Sequence, residues 1–394
     1  MIQYVRNPFF SPQTGPEFLS LEQTQPVRRF HFALDAYRET PLVPLPALAK
    51  HIGVGGIYVK DESQRFGLNA FKGLGGVYAI ARVLCQKLGL DIHTITFADL
   101  QKPDLQAKIA DYTFVTATDG NHGKGVAWAA GLLGCRSYVY MPKGSSEIRA
   151  ENIRRAGKAR VEITPWGYDD TVRYAKKMSE DHSWLLIQDT SWPGYEEVPA
   201  WIIQGYTTMA FEAAEKLKQE GLPFPTHVFL QAGVGAMAAS AAGFLANYYG
   251  EACPKIALVE PDQVACFYES MEAGDGQPHP ATGSQQTIMA GLNCAEPCTI
   301  AWPILRDLAV GCLACTDDVA ADGMRRLAHP LGDDLKLVSG ESGASTLGTL
   351  AAVMTGPDCL PIREALGLDE TSVVLLFSTE GDTDPDAYRA IVET

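Results

Sequence analysis

Short apolar runs recur along this chain of 394 residues with stretches of helical spacing between them, and few folds accommodate that alternation. The runs fall at residues 57–60, 114–117, 137–141, 161–163, 184–187, 227–230, 256–259 and 373–377. Helical patterns occupy 123–133, 147–156, 169–179, 202–218 and 237–249. Strands that alternate with helices build an α/β fold with mostly parallel sheets. Runs that lack polar alternation fit sheets covered by helices on both faces. The chain is long enough for two domains, and no linker interrupts it, which suits one domain inserted in another.

The formal net charge of −15 argues against general binding to nucleic acid or anionic membranes. An anionic ligand would need local positive potential, from helix N-termini or a few basic side chains. No apolar run approaches the roughly 20 residues of a membrane span. The longest candidate, 236–249, is interrupted by Ser240, Gly243 and Asn247. The first 30 residues, with Pro8, Pro12, Pro16, Glu17 and Glu22, lack the apolar core of a signal peptide, so a cytoplasmic location is expected. Nine cysteines are scattered. Cys312 and Cys315 form a CxxC without the second ligand pair of a zinc site, so no metal is expected. Cys266 and Cys294 flank the polar segment 274–286, and whether they pair is open. That segment, rich in Gly, Pro, Ser and Gln, is expected to be a surface loop.

Four segments carry candidate chemistry. In Leu68-Asn69-Ala70-Phe71-Lys72-Gly73-Leu74-Gly75-Gly76, a lone amine stands between a turn and a glycine-rich helix start, with Asn69 as a plausible cap. A lysine so placed can carry an aldehyde cofactor as a Schiff base. Thr118-Asp119-Gly120-Asn121-His122-Gly123 follows a strand and opens a helix, where open α/β sheets bind ligands. Backbone N–H groups there can hold a carboxylate. Asp119 adds a negative charge, which reads either as a helix cap or as a general base or partner for a cation. Gln231-Ala232-Gly233-Val234-Gly235-Ala236 runs from a strand through glycines into a small-residue helix, as a phosphate cradle or a tight turn. It lacks the Lys-Ser/Thr of a nucleotide loop. Phe377-Ser378-Thr379-Glu380-Gly381 follows the last strand, and a neutral hydroxyl there can face a pyridine nitrogen without protonating it.

Together these segments resemble the fold-type II pyridoxal-phosphate (PLP) enzymes, the group of the tryptophan-synthase β-subunit and the threonine dehydratases. Within that group the likeness is to the diaminopropionate ammonia-lyases, over roughly residues 30–385. It is carried by Lys60-Asp61-Glu62-Ser63, the Lys72 and Asp119 segments, Gln188-Asp189-Thr190-Ser191-Trp192, Thr287-Ile288-Met289-Ala290-Gly291-Leu292 and Ser339-Gly340-Glu341-Ser342-Gly343. The resemblance implies PLP as cofactor, with Phe71, Lys72, Asn121, Gly233, Val234, Gly235, Ala236 and Ser378 around it. Thr379 is the alternative to Ser378. It implies a large cofactor domain of residues 1–75 and 205–394 and a small substrate-capping domain of 76–204. The implied reaction splits 2,3-diaminopropionate into pyruvate and two ammonia. Lys72 and Asp119 then serve as bases on opposite faces, one for each of the D and L isomers. Asp189 is a further acidic candidate for steering the β-ammonium, and Thr118, Gly120 and His122 join it in holding the substrate. A homodimer is also implied. The rival readings are a serine/threonine dehydratase, a β-replacing synthase and a non-catalytic amino-acid-binding regulator.

Overall fold

The computed structural model describes residues 2–11 and 14–394. Its strands are β1 (Ile2–Arg6), β2 (Leu42–Pro44), β3 (Gly56–Asp61), β4 (Thr113–Ala117), β5 (Arg136–Met141), β6 (Arg160–Ile163), β7 (Leu185–Leu186), β8 (His227–Gln231), β9 (Lys255–Pro261), β10 (Ala309–Cys315) and β11 (Val373–Ser378). The chain forms two compact units. One comprises Met1–Leu21, Glu39–Gln64 and Met209–Thr394, and the other Glu22–Arg38 and Arg65–Thr208.

The larger unit is built on a seven-stranded sheet in the order β1-β10-β9-β8-β11-β3-β2. Its five central strands run parallel, and the edge strands β1 and β2 are antiparallel. Every residue of β8 and β11 is buried, as expected of strands covered on both faces. These two strands pair directly, Val374 beside His227 and Leu376 beside Phe229. Their carboxyl ends therefore lie side by side, and those ends carry the glycine loop and Ser378. At the end of β3, Lys60 does not turn out into solvent. It is buried, with Nζ 2.6 Å from Glu212 Oε2 and 2.5 Å from the Thr40 carbonyl. Removing one partner of such a pair costs about 3–5 kcal/mol, because the other charge stays buried.

The smaller unit has a parallel four-stranded sheet in the order β6-β5-β4-β7. Side chains alternate across its strands. Val139 and Met141 pack with Ala127, Ala150 and Ile153 of the helices Asn121–Leu132 and Glu147–Gly157. Tyr140 packs oppositely, with Val172 and Ala175 of the helix Tyr168–His182. The helix Glu147–Gly157 shows why its sequence stops and starts there. Ser146 Oγ accepts the N–H of Arg149, Glu147 lies in the first turn and Arg154 and Arg155 in the last.

Two expectations change in detail. The run 184–187 yields only the two-residue β7, and β1, β2 and β10 arise where the apolar pattern had not indicated a strand. Cys312 and Cys315 both lie in β10, where residues three apart face opposite sides of the sheet. None of the nine cysteines forms a disulfide, so Cys266 and Cys294 do not pair. Residues 274–286 form no helix or strand and are mostly exposed. Among the described residues no helix is long and apolar enough to cross a membrane.

Candidate active site

In the smaller unit the turn before Lys72 is set by Asn69, whose φ of 58° is left-handed, a conformation asparagine tolerates better than most residues. Asn69 therefore makes the turn rather than capping the helix. The helix Gly73–Leu88 starts immediately after Lys72, which itself occupies the cap position. The Lys72 side chain is 18% exposed, and its Nζ lies 2.5 Å from Asp189 Oδ2. The amine also stands 5.5 Å from the Phe71 ring centroid and 5.9 Å from that of Tyr206.

The Asp119 loop packs against this turn through glycine. A Cβ on Gly125 would stand 2.9 Å from Gly73 N and 3.0 Å from the Lys72 carbonyl carbon, both backbone atoms that cannot rotate away. Lys124 adds a hydrogen bond from Nζ to the Leu68 carbonyl at 2.6 Å. Gly125→Ala should therefore displace the Lys72 turn and cost roughly 1–3 kcal/mol, the range for overpacking. Urea unfolding measures the loss, and a turnover assay on the folded fraction shows whether the amine has moved.

Within the loop, Thr118 Oγ1 accepts the N–H groups of Gly120 (2.9 Å) and Gly123 (3.0 Å), so Thr118 shapes the loop. Gly120 is the cap position of the helix Asn121–Leu132 and receives no side-chain cap, so Asp119 is not a cap. Asp119 keeps some exposure. Burial nonetheless pushes its carboxyl up to about 7, Arg149 opposing and Asp189 adding to the rise. The Arg149 stem runs over Gly120, with Cδ 3.4 Å from where a Cβ would be.

Asp189 sits on a cross-braced turn after β7. Gln188 Oε1 accepts the Ala117 N–H (2.9 Å) and the Thr116 hydroxyl (3.1 Å), which ties the turn to the end of β4. Tyr195 donates its hydroxyl to the Leu186 carbonyl and accepts the Gln188 N–H, both at 2.9 Å. Burial alone would push the Asp189 carboxyl up, but His122, when it is protonated, and Lys72 bring it down to about 2. His122 Nε2 donates to the Ile187 carbonyl at 2.8 Å, and Nδ1 lies 3.7 Å from Asp189 Oδ2.

Lys72, Asp119, Asn121, His122 and Asp189 thus belong to one unit, and Gly233, Val234, Gly235, Ala236 and Ser378 to the other. In the larger unit the loop after β8 leads into the 14-residue helix Ala236–Tyr249. Gly235 has φ 90°, and a Cβ there would stand 2.3 Å from Phe267 Cζ. The helix leaves its first N–H groups without internal acceptors, pointing out of its N-terminus. Gly233 lies against Gly291 and Leu292, and Gly343 against Ser378 and Thr379. The four segments singled out in this half of the sequence therefore meet. Ser378 is 2% exposed, and its Oγ has no hydrogen-bond partner. The Thr379 hydroxyl accepts Gln231 Nε2 at 2.9 Å.

Sequence reasoning did not assign Arg149, Gln188, Tyr195 or Tyr206. Gln188 had a signal, a polar residue directly after an apolar run. The others lie in helices or a turn with nothing local to mark them.

Residues 33–375 match the profile of the pyridoxal-phosphate dependent enzymes, a class of cofactor-dependent enzymes, and the chain belongs to that family. It is 52% identical to diaminopropionate ammonia-lyase of Salmonella typhimurium, over 93% of this chain and 91% of that one. It is also similar to the crystal structure of holo diaminopropionate ammonia lyase from Escherichia coli, with TM-score 0.93 and 47% identity, covering 100% and 96% of the two chains. The E. coli enzyme in complex with D-serine matches with TM-score 0.93 and 46% identity, covering 100% and 97%. The residues present fit PLP. Ser378 Oγ is a buried hydroxyl without a partner, the Gly233–Gly235 turn ends at the N-terminus of the helix Ala236–Tyr249, whose first N–H groups suit a phosphate, and Lys72 offers a primary amine.

Proposed function

We propose that the chain is a PLP-dependent carbon–nitrogen lyase that converts D- and L-2,3-diaminopropionate to pyruvate and two ammonia. The observation that carries this reading is the pair of carboxylates around Lys72. Asp189 is bonded to its amine, and Asp119 interacts with both Lys72 and Asp189. A substrate with a second amine supplies the cation that such a cluster favours. The activity named for the relatives supports the same reading, and the D-serine complex of the E. coli enzyme supports a small D-amino acid as ligand.

When bound, PLP supplies the electron sink that acidifies the α-hydrogen and lets the β-amine depart. The chain's residues do the rest. The Lys72 amine anchors the cofactor, and once displaced by the substrate it takes the α-proton at Nζ. Asp119 takes the α-proton of the other isomer at its carboxylate. Asp189 orients Lys72 Nζ and attracts the substrate's β-ammonium. Gly233, Val234, Gly235 and Ala236 hold the phosphate through backbone N–H groups. Asn121 donates to the ring's phenolic oxygen, and Phe71 packs beside the cofactor. Thr118, Gly120 and His122 set the loop that receives the substrate carboxylate. In domain terms, we assign most of the cofactor contacts to residues 1–75 and 205–394 and the capping of the substrate to 76–204, with Asn121 of that segment added to the groups that hold the cofactor. A homodimer in the cytoplasm goes with this reading, and light scattering checks the first part.

Ser378 is assigned to the ring nitrogen because its buried hydroxyl has no partner in either role, whereas that of Thr379 already accepts Gln231 Nε2. Ser378→Ala should weaken PLP binding by about tenfold or less, the equivalent of one hydrogen bond of ~0.5–1.5 kcal/mol. Fluorescence titration with PLP reads this, and a larger effect of Thr379→Val would reverse the assignment.

The deciding assay measures pyruvate and ammonia from D- and L-diaminopropionate, serine and threonine. One pyruvate to two ammonia is expected, with kcat/KM for diaminopropionate at least about tenfold above the hydroxy amino acids. A preference for serine or threonine would make the protein a dehydratase. No pyruvate from any of them would favour a non-catalytic regulator.

A further inference from the structure

His122 enters the reading above only through the loop it belongs to, yet its side chain is placed for more. The ring is 3% exposed, and its Nε2 lies 2.8 Å from the Ile187 carbonyl oxygen. A carbonyl only accepts, so Nε2 carries the hydrogen in every state that keeps this bond. The other nitrogen is therefore the one free to gain or lose a proton. Nδ1 has no hydrogen-bond partner and faces Asp189 Oδ2 at 3.7 Å. That same oxygen receives the Lys72 amine at 2.5 Å.

The carboxylate thus has two possible cations on one oxygen. With the Lys72 ammonium in place, Asp189 is compensated, and a second positive charge at Nδ1 would be repelled. With the amine withdrawn, a carboxylate that is 4% exposed keeps neutral donors, Gln188 Nε2 at 3.3 Å from Oδ1 and its own backbone N–H, and no cation on Oδ2 apart from a protonated His122. An uncompensated buried charge of that kind is strongly unfavourable. A bare lone pair at Nδ1 would make it worse, and an N–H there relieves it. The other groups nearby are Asp119, with Arg149 and Asp169 acting on it, and the Tyr195 and Tyr206 hydroxyls, which burial keeps protonated. None of these replaces the cation at Oδ2. Burial pushes His122 down from its usual range, Asp189 opposes this and Lys72 adds to it, the same competition in electrostatic form.

We propose that His122 is a positioning residue that binds a proton at Nδ1 when the Lys72 amine leaves Asp189 and releases it when the ammonium returns, so that Asp189 stays compensated and in place. The proton is exchanged with solvent water. The functional part of this proposal rests on the roles given above to Lys72 and Asp189.

The test is nitrogen-15 histidine NMR on the full-length chain, with and without added PLP. The His122 signals are assigned with His122→Gln, which keeps a donor for the Ile187 carbonyl and has no titratable nitrogen. In Lys72→Ala the midpoint of His122 should rise by about one pH unit or more, a tenfold gain in proton affinity. The gain should appear at Nδ1 and disappear when Asp189→Asn is added. Lys72→Met, which keeps the stem without the charge, replaces Lys72→Ala should the latter not fold. In the holoenzyme, His122→Gln should remove a limb from the pH profile of kcat, a change that a loss of substrate contacts alone would not produce. An unchanged midpoint on loss of the Lys72 charge overturns the proposal, as does protonation at Nε2 instead. The NMR result does not depend on turnover, so a protein that makes no pyruvate but shows the shift would refute only the lyase reading.

Discussion

Lys72→Ala is expected to abolish turnover of both isomers, by about 1,000-fold or more, together with the yellow colour of the PLP-loaded protein. The size of the effect follows from two losses at one position. On the proposed roles, the amine that anchors the cofactor is gone, and so is the base for one isomer. Asp189 is left in place, since Gln188 and Tyr195 brace its turn independently of Lys72. The variant should therefore still bind PLP through its phosphate loop, more weakly and reversibly. Absorbance before and after borohydride separates the two contributions: the wild type retains reduced cofactor through gel filtration, and the variant does not. Retention of reduced cofactor by the variant would move the anchor to another lysine.

Asp119→Asn is expected to lower kcat/KM for the D isomer by about 100- to 10,000-fold and to spare the L isomer to within roughly tenfold, since it removes one general base and leaves the other. The pH dependence carries the same signature. Burial raises the Asp119 carboxyl to about 7, and a base works only when deprotonated. Activity on the D isomer should thus climb as pH rises through 7 and flatten above it, and the asparagine variant should lose that limb. Equal loss on both isomers would remove the two-face assignment and leave the PLP chemistry standing.

Much of this site was legible because strand-end loops carry their chemistry in consecutive residues. The Lys72 turn, the Asp119 loop, the glycine turn at 233–235 and Ser378 each follow an apolar run, and the structure places the last three at the ends of β4, β8 and β11. Local rules went wrong where two residues compete for one task. Asn69 and Asp119 both look like caps, but Lys72 holds the cap position of the first helix and Gly120 that of the second. The strand β10 escaped notice because Ala309-Val310-Gly311-Cys312-Leu313-Ala314-Cys315 mixes small residues with the apolar ones and has no strong β-formers beyond Val310.

The sequence by itself determined the α/β class, the lysine, and the order of the loops that hold the candidate groups, because apolar periodicity and glycine–polar turns are properties of adjacent residues. Only the tertiary structure decided which groups act on one another. Lys72 and Asp189 are 117 residues apart in sequence, and the bond between them is set by how the Gln188 turn is tied to β4. The raised carboxyl of Asp119, and the choice between Nδ1 and Nε2 on His122, likewise depend on desolvation and on partners that only packing supplies. Folding brings distant atoms within a few ångströms of one another and removes water from around them, and at that range charge and burial, rather than residue type, decide which proton sits where.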